Sequence, residues 1–259
     1  MVNNQKIEVC YNVQTTVEEK NKLILDYKVT NDTHDYDYLS VMSKNAKEIL
    51  ELEDITVLAD KGYYKNVELK ECVDNGITPY VAKPKNKNSK VFSSEKFDYD
   101  PENDHYICPA GKILIFRHTL KKNTQYKRYN NYEACNGCKL RDNCTKAQKA
   151  GRNIDRWMHK ELLDEIDKQT IKNWDTYRKR QWLAEHPFGT VKRGFDSYYL
   201  LTKGINSVST EIGLSFCAYN LKRVINVIGI KNLVKKLKEW ALPILNFCYF
   251  NIRFKSYSA

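Results

Sequence analysis

The sequence predicts an α/β fold built on a mixed sheet, and three features carry that prediction. Two adjacent runs, Ile7–Thr15 and Leu23–Thr30, mix β-branched and aromatic residues with alternating polarity, and the Glu-Glu-Lys-Asn turn between them makes an antiparallel hairpin. Short apolar runs at Ile55–Ala59 and Thr78–Ala82 then alternate with helical-period segments, a β-β-α-β-α-β order that builds an α/β sheet. Finally, the chain from Glu161 to Lys238 returns to helical spacing after a long polar interruption.

Taken in order, Asn31–Asp35 reads as a helix N-cap region, followed by Leu39, Met42, Ala46, Ile49 and Leu50 at helical spacing. The run Ile55–Ala59 ends in Asp60-Lys-Gly62, and an amphipathic helix extends from there to Asn75-Gly76. Residues 83–160 are polar, basic, rich in Cys and Tyr and weakly periodic, so they read as an insertion between two halves of the main domain. Helices are expected over Leu162–Trp174, around Arg178–Glu185 and over Asn206–Ile228. The resulting organisation is a first part of the main domain over 1–82, the insertion over 83–160, a helical second part over 161–238 and a tail over 239–259. No internal repeat is visible.

The formal net charge is +11 over 259 residues, and it is concentrated. Between Ala110 and Lys160 there are 13 Lys and Arg against three acids, a local excess of +10. A second basic run spans Lys83–Lys90. Such clustering points to a polyanionic partner, because each neutralised phosphate releases condensed counterions; a solvated basic face is the bland alternative. The N-terminus lacks the apolar core of a signal peptide. The longest apolar run, Trp240–Phe250, is too short to span a membrane and contains Pro243 and Asn246. A cytoplasmic protein with no membrane partner is expected, and its eight cysteines are then reduced, which favours metal ligation or packing over disulfides.

Three constellations could carry chemistry. Asp60 closes an apolar strand, where α/β sheets place ligand sites, although Asp-Lys-Gly is also an ordinary turn sequence. Glu185 stands between Arg178, Lys179 and Arg180 on one side and Lys192 and Arg193 on the other. At helical spacing Gln181, Glu185, Phe188 and Lys192 share a face, with Pro187 expected to kink or start the helix. Cations around one carboxylate could hold phosphates near a metal centre, or form a plain surface salt bridge. The third constellation is Cys108-Pro-Ala-Gly-Lys with Cys135-Asn-Gly-Cys138 and Cys144, enough thiols for a tetrahedral Zn²⁺ site, or for a small satellite core. Tyr126, Tyr129 and Tyr132 beside the cations would suit nucleic-acid contact. Cys10, Cys72, Cys217 and Cys248 lie among apolar neighbours and read as core filling, and His186 stands out only by its adjacency to Glu185.

In combination these motifs are specific. Leu58-Ala-Asp60-Lys-Gly-Tyr-Tyr64, followed 125 residues after Asp60 by Glu185-His-Pro-Phe-Gly-Thr-Val-Lys-Arg193, closely resembles the DDE transposases of bacterial insertion sequences, in a subgroup with a cysteine-containing insertion. Tyr11-Asn-Val-Gln-Thr15, Val29-Thr-Asn-Asp32 and Ala218-Tyr-Asn-Leu-Lys-Arg223 resemble the same family and occur in its order. The resemblance implies an RNase H-like domain in which Asp, Asp and Glu hold two Mg²⁺ (or Mn²⁺) ions that clamp the attacking and leaving oxygens of a phosphoryl displacement. It makes Asp60 the second acid and Glu185 the third, with Lys192 on DNA and Arg178, Arg180 and Arg193 as further DNA contacts. It also implies DNA ends as partner and a possible homo-oligomer. Two departures stand out: Gln181 replaces a basic residue, and Arg178 occupies the place of a Tyr, with Tyr177 one step away. Only ten residues precede Tyr11, with Glu8 their only acid, and Asp26 and Asp32 are not in the first acid's place. The chain therefore reads as a truncated, inactive copy of a strand-cleaving transposase. The alternatives are a non-catalytic DNA-binding remnant and an unrelated metal-dependent nuclease.

Overall fold

The computed structural model describes residues 10–84, 91–120, 123–147, 150–195 and 199–240, with a short backbone pairing of Val2–Asn3 and Lys6–Ile7 besides. Glu8, Cys248, most of the Lys83–Lys90 run and nearly all of the 239–259 tail lie outside the described residues. The chain divides into two compact units, 1–80 with 173–259, and 81–172. The helix expected at the start of the third segment thus belongs to the second unit.

In the first unit the hairpin forms as expected, with β1 (Asn12–Val17) antiparallel to β2 (Ile24–Thr30), from Asn12 opposite Thr30 to Val17 opposite Ile24. Its turn closes through the Glu18 amide donating to the Leu23 carbonyl at 2.9 Å, and Lys22 adopts a left-handed φ of 61°. Helix α1 (Leu39–Ile49) buries Leu39, Met42 and Ala46 on one face. The 31–35 segment does not cap it. Tyr38 is the N-cap residue without a side-chain bond, and the buried Glu68 of α2 (Asn66–Asp74) accepts the Ser40 amide at 3.0 Å and hydroxyl at 2.7 Å. A carboxylate at the positive end of a helix satisfies a free amide and the local dipole together.

Strands β3 (Ile55–Ala59) and β4 (Ile77–Val81) pair with each other on either side of α2. Gly76, at φ 68°, makes the turn into β4, where a side chain would meet Asp54 Oδ1 at 2.9 Å. The expected single mixed sheet is present as two sheets of two strands each among the described residues. Side-chain packing joins them instead: α1 lies against β1, β2 and β3.

Helix α6 (Trp174–Gly189) packs on β3, and α7 (Ile205–Ile228) packs on β2. The helix neither starts nor ends at Pro187 but runs through it, and opens into a π-helical turn over Thr190–Gly194. Proline removes one amide and crowds the carbonyl four residues back, and a wider turn just beyond it accommodates the change. Ile24, Val191, Phe216 and Tyr219 form the core between hairpin and helices.

The second unit is better ordered than its weak periodicity suggested. Five strands, β5 (Asp98–Asp100), β6 (His105–Ile107), β7 (Ile113–Leu120), β8 (Asn123–Asn130) and β9 (Ile154–Trp157), form an antiparallel sheet in the order β9-β8-β7-β6-β5. In β7 Leu114 is buried whereas its apolar neighbours Ile113, Ile115 and Phe116 are exposed, which erases the alternation that would mark a strand. Two four-residue helices, α3 (Tyr132–Cys135) and α4 (Arg141–Cys144), follow β8, and α5 (Lys160–Lys172) completes the unit. Among the described residues no helix is long and apolar enough to cross a membrane.

Gly213 makes a further approach in the first unit that only glycine permits. A Cβ on Gly213 would fall 2.2 Å from the Tyr27 hydroxyl oxygen, and Tyr27 in turn meets Phe216 edge-on at 5.3 Å. Gly213→Ala should therefore cost about 1–3 kcal/mol in urea unfolding. Gly189→Ala, where nothing lies within 4 Å, should be neutral or stabilising by up to ~1 kcal/mol. Equal midpoints for the two variants would contradict the Tyr27 packing.

Candidate active site

Asp60 follows β3 directly and begins the short turn Lys61–Tyr63. Its carboxylate accepts an ion pair from Arg180 of α6, Nη2 to Oδ1 at 3.2 Å, with the aspartate half-exposed. Arg180, expected on DNA, is thus the partner of Asp60 here; it also lies over the Tyr177 ring at 5.0 Å, and its Nε is buried without a hydrogen bond among the described residues.

Around this turn two of the sequence motifs meet at Asp35. Asn12 and Gln14 of β1 both donate to Asp35 Oδ1, at 2.8 and 2.7 Å, and Tyr63 donates to the side-chain Oε1 of Gln14. Gln14 is almost wholly buried, so its amide needs both partners. Gly62 lets the turn approach Asp35, since a Cβ there would lie 3.3 Å from Oδ2. Burial, then the nearby Asp35 and Asp60 charges, push the Tyr63 hydroxyl far above its ordinary range. It stays a neutral donor. Sequence reasoning singled out the two flanking motifs but missed Asp35, whose only signal was its place between a strand and a helix.

Glu185 lies on α6, five residues beyond Arg180, so an ideal helix turns it roughly 140° away from the side chain that reaches Asp60. It is exposed and makes no hydrogen bond or ion pair among the described residues. Its neighbour His186 is tied down. The Tyr219 hydroxyl donates to the Lys22 carbonyl at 2.7 Å and therefore accepts from His186 Nδ1 at 3.1 Å, which fixes the Nδ1–H tautomer. Asn220 donates to the Ile24 carbonyl at 2.8 Å and accepts the Ile24 amide at 2.9 Å, while Arg223 donates to the Asn21 carbonyl at 2.9 Å. The Ala218–Arg223 motif thus grips the hairpin turn. Arg178, Lys192 and Arg193 are exposed, with Lys192 Nζ 5.7 Å from the Phe188 ring centre.

In the second unit Cys108, Cys135, Cys138 and Cys144 line one cavity of about 30 Å³. Burial raises the Cys144 thiol, and Arg152 opposes that. Among the described residues no group of three or more His, Cys, Asp or Glu is drawn together tightly enough to hold a metal ion. Of the cysteines expected to fill core, Cys72 is buried, but Cys10 and Cys217 are exposed. Tyr129, expected beside nucleic acid, is fully buried and donates to Asp104 at 2.6 Å; Tyr132 is exposed. Much of the basic excess is used internally: Arg128 pairs with Asp155 at 2.7 Å, Lys127 with Asp104 at 3.2 Å, and Arg141 and Arg152 donate to backbone carbonyls. Lys112, Arg117, Lys139 and Lys146 remain on the surface.

The two acids beside the turn should respond differently to removal. Asp35→Ala leaves Asn12 and the buried Gln14 without their acceptor and should cost about 1–3 kcal/mol in denaturant unfolding. Asp60→Ala removes a solvent-facing pair and should cost less than about 1 kcal/mol. A larger loss at Asp60 than at Asp35 would contradict this division of roles.

The searches of curated proteins and of solved structures each found no match. Residues 107–225 match the family model described as the transposase DDE domain. The matched stretch holds the four cavity cysteines, Glu185 and the gripping residues of α7, and it begins after Asp60. Over that stretch the chain is similar to the transposase DDE domain, a match that supports a DDE transposase of the insertion-sequence type.

Proposed function

We propose that the chain belongs to a machinery for DNA strand cleavage and transfer on an RNase H-like scaffold, with Asp60 and Glu185 as its two acidic metal ligands. The observation that carries this reading is the placement of Asp60 at the C-terminal end of β3 against α6, the helix that bears Glu185. Both side chains are exposed carboxylates, the hard oxygen donors that Mg²⁺ and Mn²⁺ take, so they fit such ions in kind. Bound there, divalent ions would polarise the scissile phosphate and lower the pKa of the attacking water.

The chain's own residues then have separable tasks. Arg180 balances the Asp60 charge and stands where its guanidinium would reach a backbone phosphate brought to that carboxylate. Arg178, Lys192 and Arg193 offer phosphate contacts that position DNA without reading its sequence. The Asp35–Gln14–Tyr63 chain fixes the turn that presents Asp60. His186, through Tyr219, fixes the segment that presents Glu185.

A second reading, DNA binding without cleavage, is favoured by the geometry: among the described residues no group of three or more His, Cys, Asp or Glu is close enough to hold a metal ion, and Glu185 projects roughly 140° from the side chain that reaches Asp60. The 259-residue chain alone is therefore expected to bind DNA in a salt-sensitive manner and to cut none. The test is a fusion that adds the acid-bearing strand of a related transposase, assayed on DNA carrying the element's ends. It should cleave with Mg²⁺ or Mn²⁺, and Asp60→Asn or Glu185→Gln should reduce cleavage at least about 100-fold while DNA affinity stays within about threefold. Cleavage that survives either substitution would remove that residue from the site. Efficient cutting by the unfused chain would overturn its assignment as inactive.

A further inference from the structure

We infer that Cys108, Cys135, Cys138 and Cys144 are the ligands of a structural zinc ion that pins the segment between β8 and β9 onto the antiparallel sheet. The inference is independent of the catalytic reading, since every residue in it belongs to the second unit.

The four thiols come from three places in the chain yet line a single cavity, whose other walls include Phe97 and Leu114. About 30 Å³ leaves room for one ion or one or two waters. A mainly apolar pocket lined by four sulfurs offers water few partners, whereas thiolates are the ligands zinc prefers.

The backbone at each cysteine is shaped for metal ligation. After Cys108 the chain turns tightly, the Gly111 amide donating to the Cys108 carbonyl at 2.7 Å with Gly111 at φ 71°. That turn aims the Lys112 amide at Cys108 Sγ, 3.3 Å away, and so holds the sulfur at the cavity wall. Between the paired cysteines Asn136 has φ −71° and ψ 123°, and Gly137 has φ 74°. With the Cys138 amide 3.4 Å from the Cys135 carbonyl, this is a type II turn, which brings two side chains three residues apart to one side. Arg141 donates to the Cys135 carbonyl at 2.8 Å and Arg152 to the Cys144 carbonyl at 3.2 Å. Their two positive charges offset part of the charge of four thiolates.

Residues 131–147 include no buried residue. Helices of four residues, as α3 and α4 are, do not persist by themselves. Apart from Cys144, which packs against the Phe97 and Leu114 core, the segment has little apolar anchorage, and four sulfurs around one cavity supply the donors for a cross-link. As placed, no three of them are yet at ligand spacing, so binding draws the sulfurs inward across the cavity.

The test uses the full chain, purified under reducing conditions and dialysed against excess Zn²⁺ and then against metal-free buffer. About one equivalent of zinc should remain, and Co²⁺ in its place should give the intense visible bands of tetrahedral thiolate coordination. Cys138→Ser and Cys144→Ser should each lower zinc content at least about tenfold. Cys72→Ser and Cys217→Ser should leave it unchanged. Should the ligand variants prove insoluble, chelation of the unaltered chain should expose residues 131–153 to protease, with protection restored by Zn²⁺ and not by Mg²⁺. Less than about a tenth of an equivalent of zinc, full zinc in Cys138→Ser, or cleavage indifferent to the chelator would each overturn the assignment.

Discussion

The architecture of the first unit depends on how α7 holds the turn of the β1–β2 hairpin. A two-stranded hairpin is marginally stable in water, and its outer backbone groups need partners. Asn220 supplies both for Ile24, donating to its carbonyl and accepting from its amide as a neighbouring strand residue would. Tyr219 and Arg223 take the carbonyls of Lys22 and Asn21, where the backbone enters the left-handed region at Lys22. These bonds join residues about two hundred positions apart in sequence, so the hairpin turn and α7 satisfy one another's polar groups. His186 extends the grip to α6, and Lys22 returns it by placing its ammonium 4.0 Å from the centre of the Trp182 ring.

This arrangement gives a physical meaning to motifs that carried only a resemblance. The tyrosine, asparagine and arginine of Ala218–Arg223 are hydrogen-bonding tools for a turn, and the histidine after Glu185 is a brace for the segment that bears the acid. The asparagine and glutamine of Tyr11–Thr15 serve Asp35, which stands against the turn that displays Asp60. Residues that touch no substrate are thereby required at fixed positions, because each satisfies a buried or strained polar group of another motif.

The regular elements were legible in the sequence where one face is buried. The hairpin, α1, the strands on either side of α2 and the helix expected over Asn206–Ile228 appear within a few residues of their expected places, since alternation or 3.6-residue spacing survives in each. The five-stranded sheet was not legible, because β7 carries apolar residues on both faces and the turns around Asp104 and Gly111 hold it by polar contacts. The cap of α1 was hidden for a different reason: its acceptor, Glu68, comes from another helix. Composition alone also overstated the free positive surface, since pairs such as Arg128–Asp155 spend charge inside the unit. Asp60 was found by motif, but its arginine partner is set by how α6 lies on β3, which spacing does not encode.

The claim on which the account turns is that His186 and Tyr219 act as one unit in fixing α6 to the hairpin. A double-mutant cycle of His186→Ala and Tyr219→Phe, measured by urea unfolding, tests it directly. Phenylalanine keeps the ring in the core and removes only the hydroxyl that both His186 and Lys22 use. The account predicts a coupling of at least about 0.5 kcal/mol, with each single change costing more in the wild-type background than in the presence of the other. Strictly additive effects would contradict it, and would mean that α6 is held by packing alone.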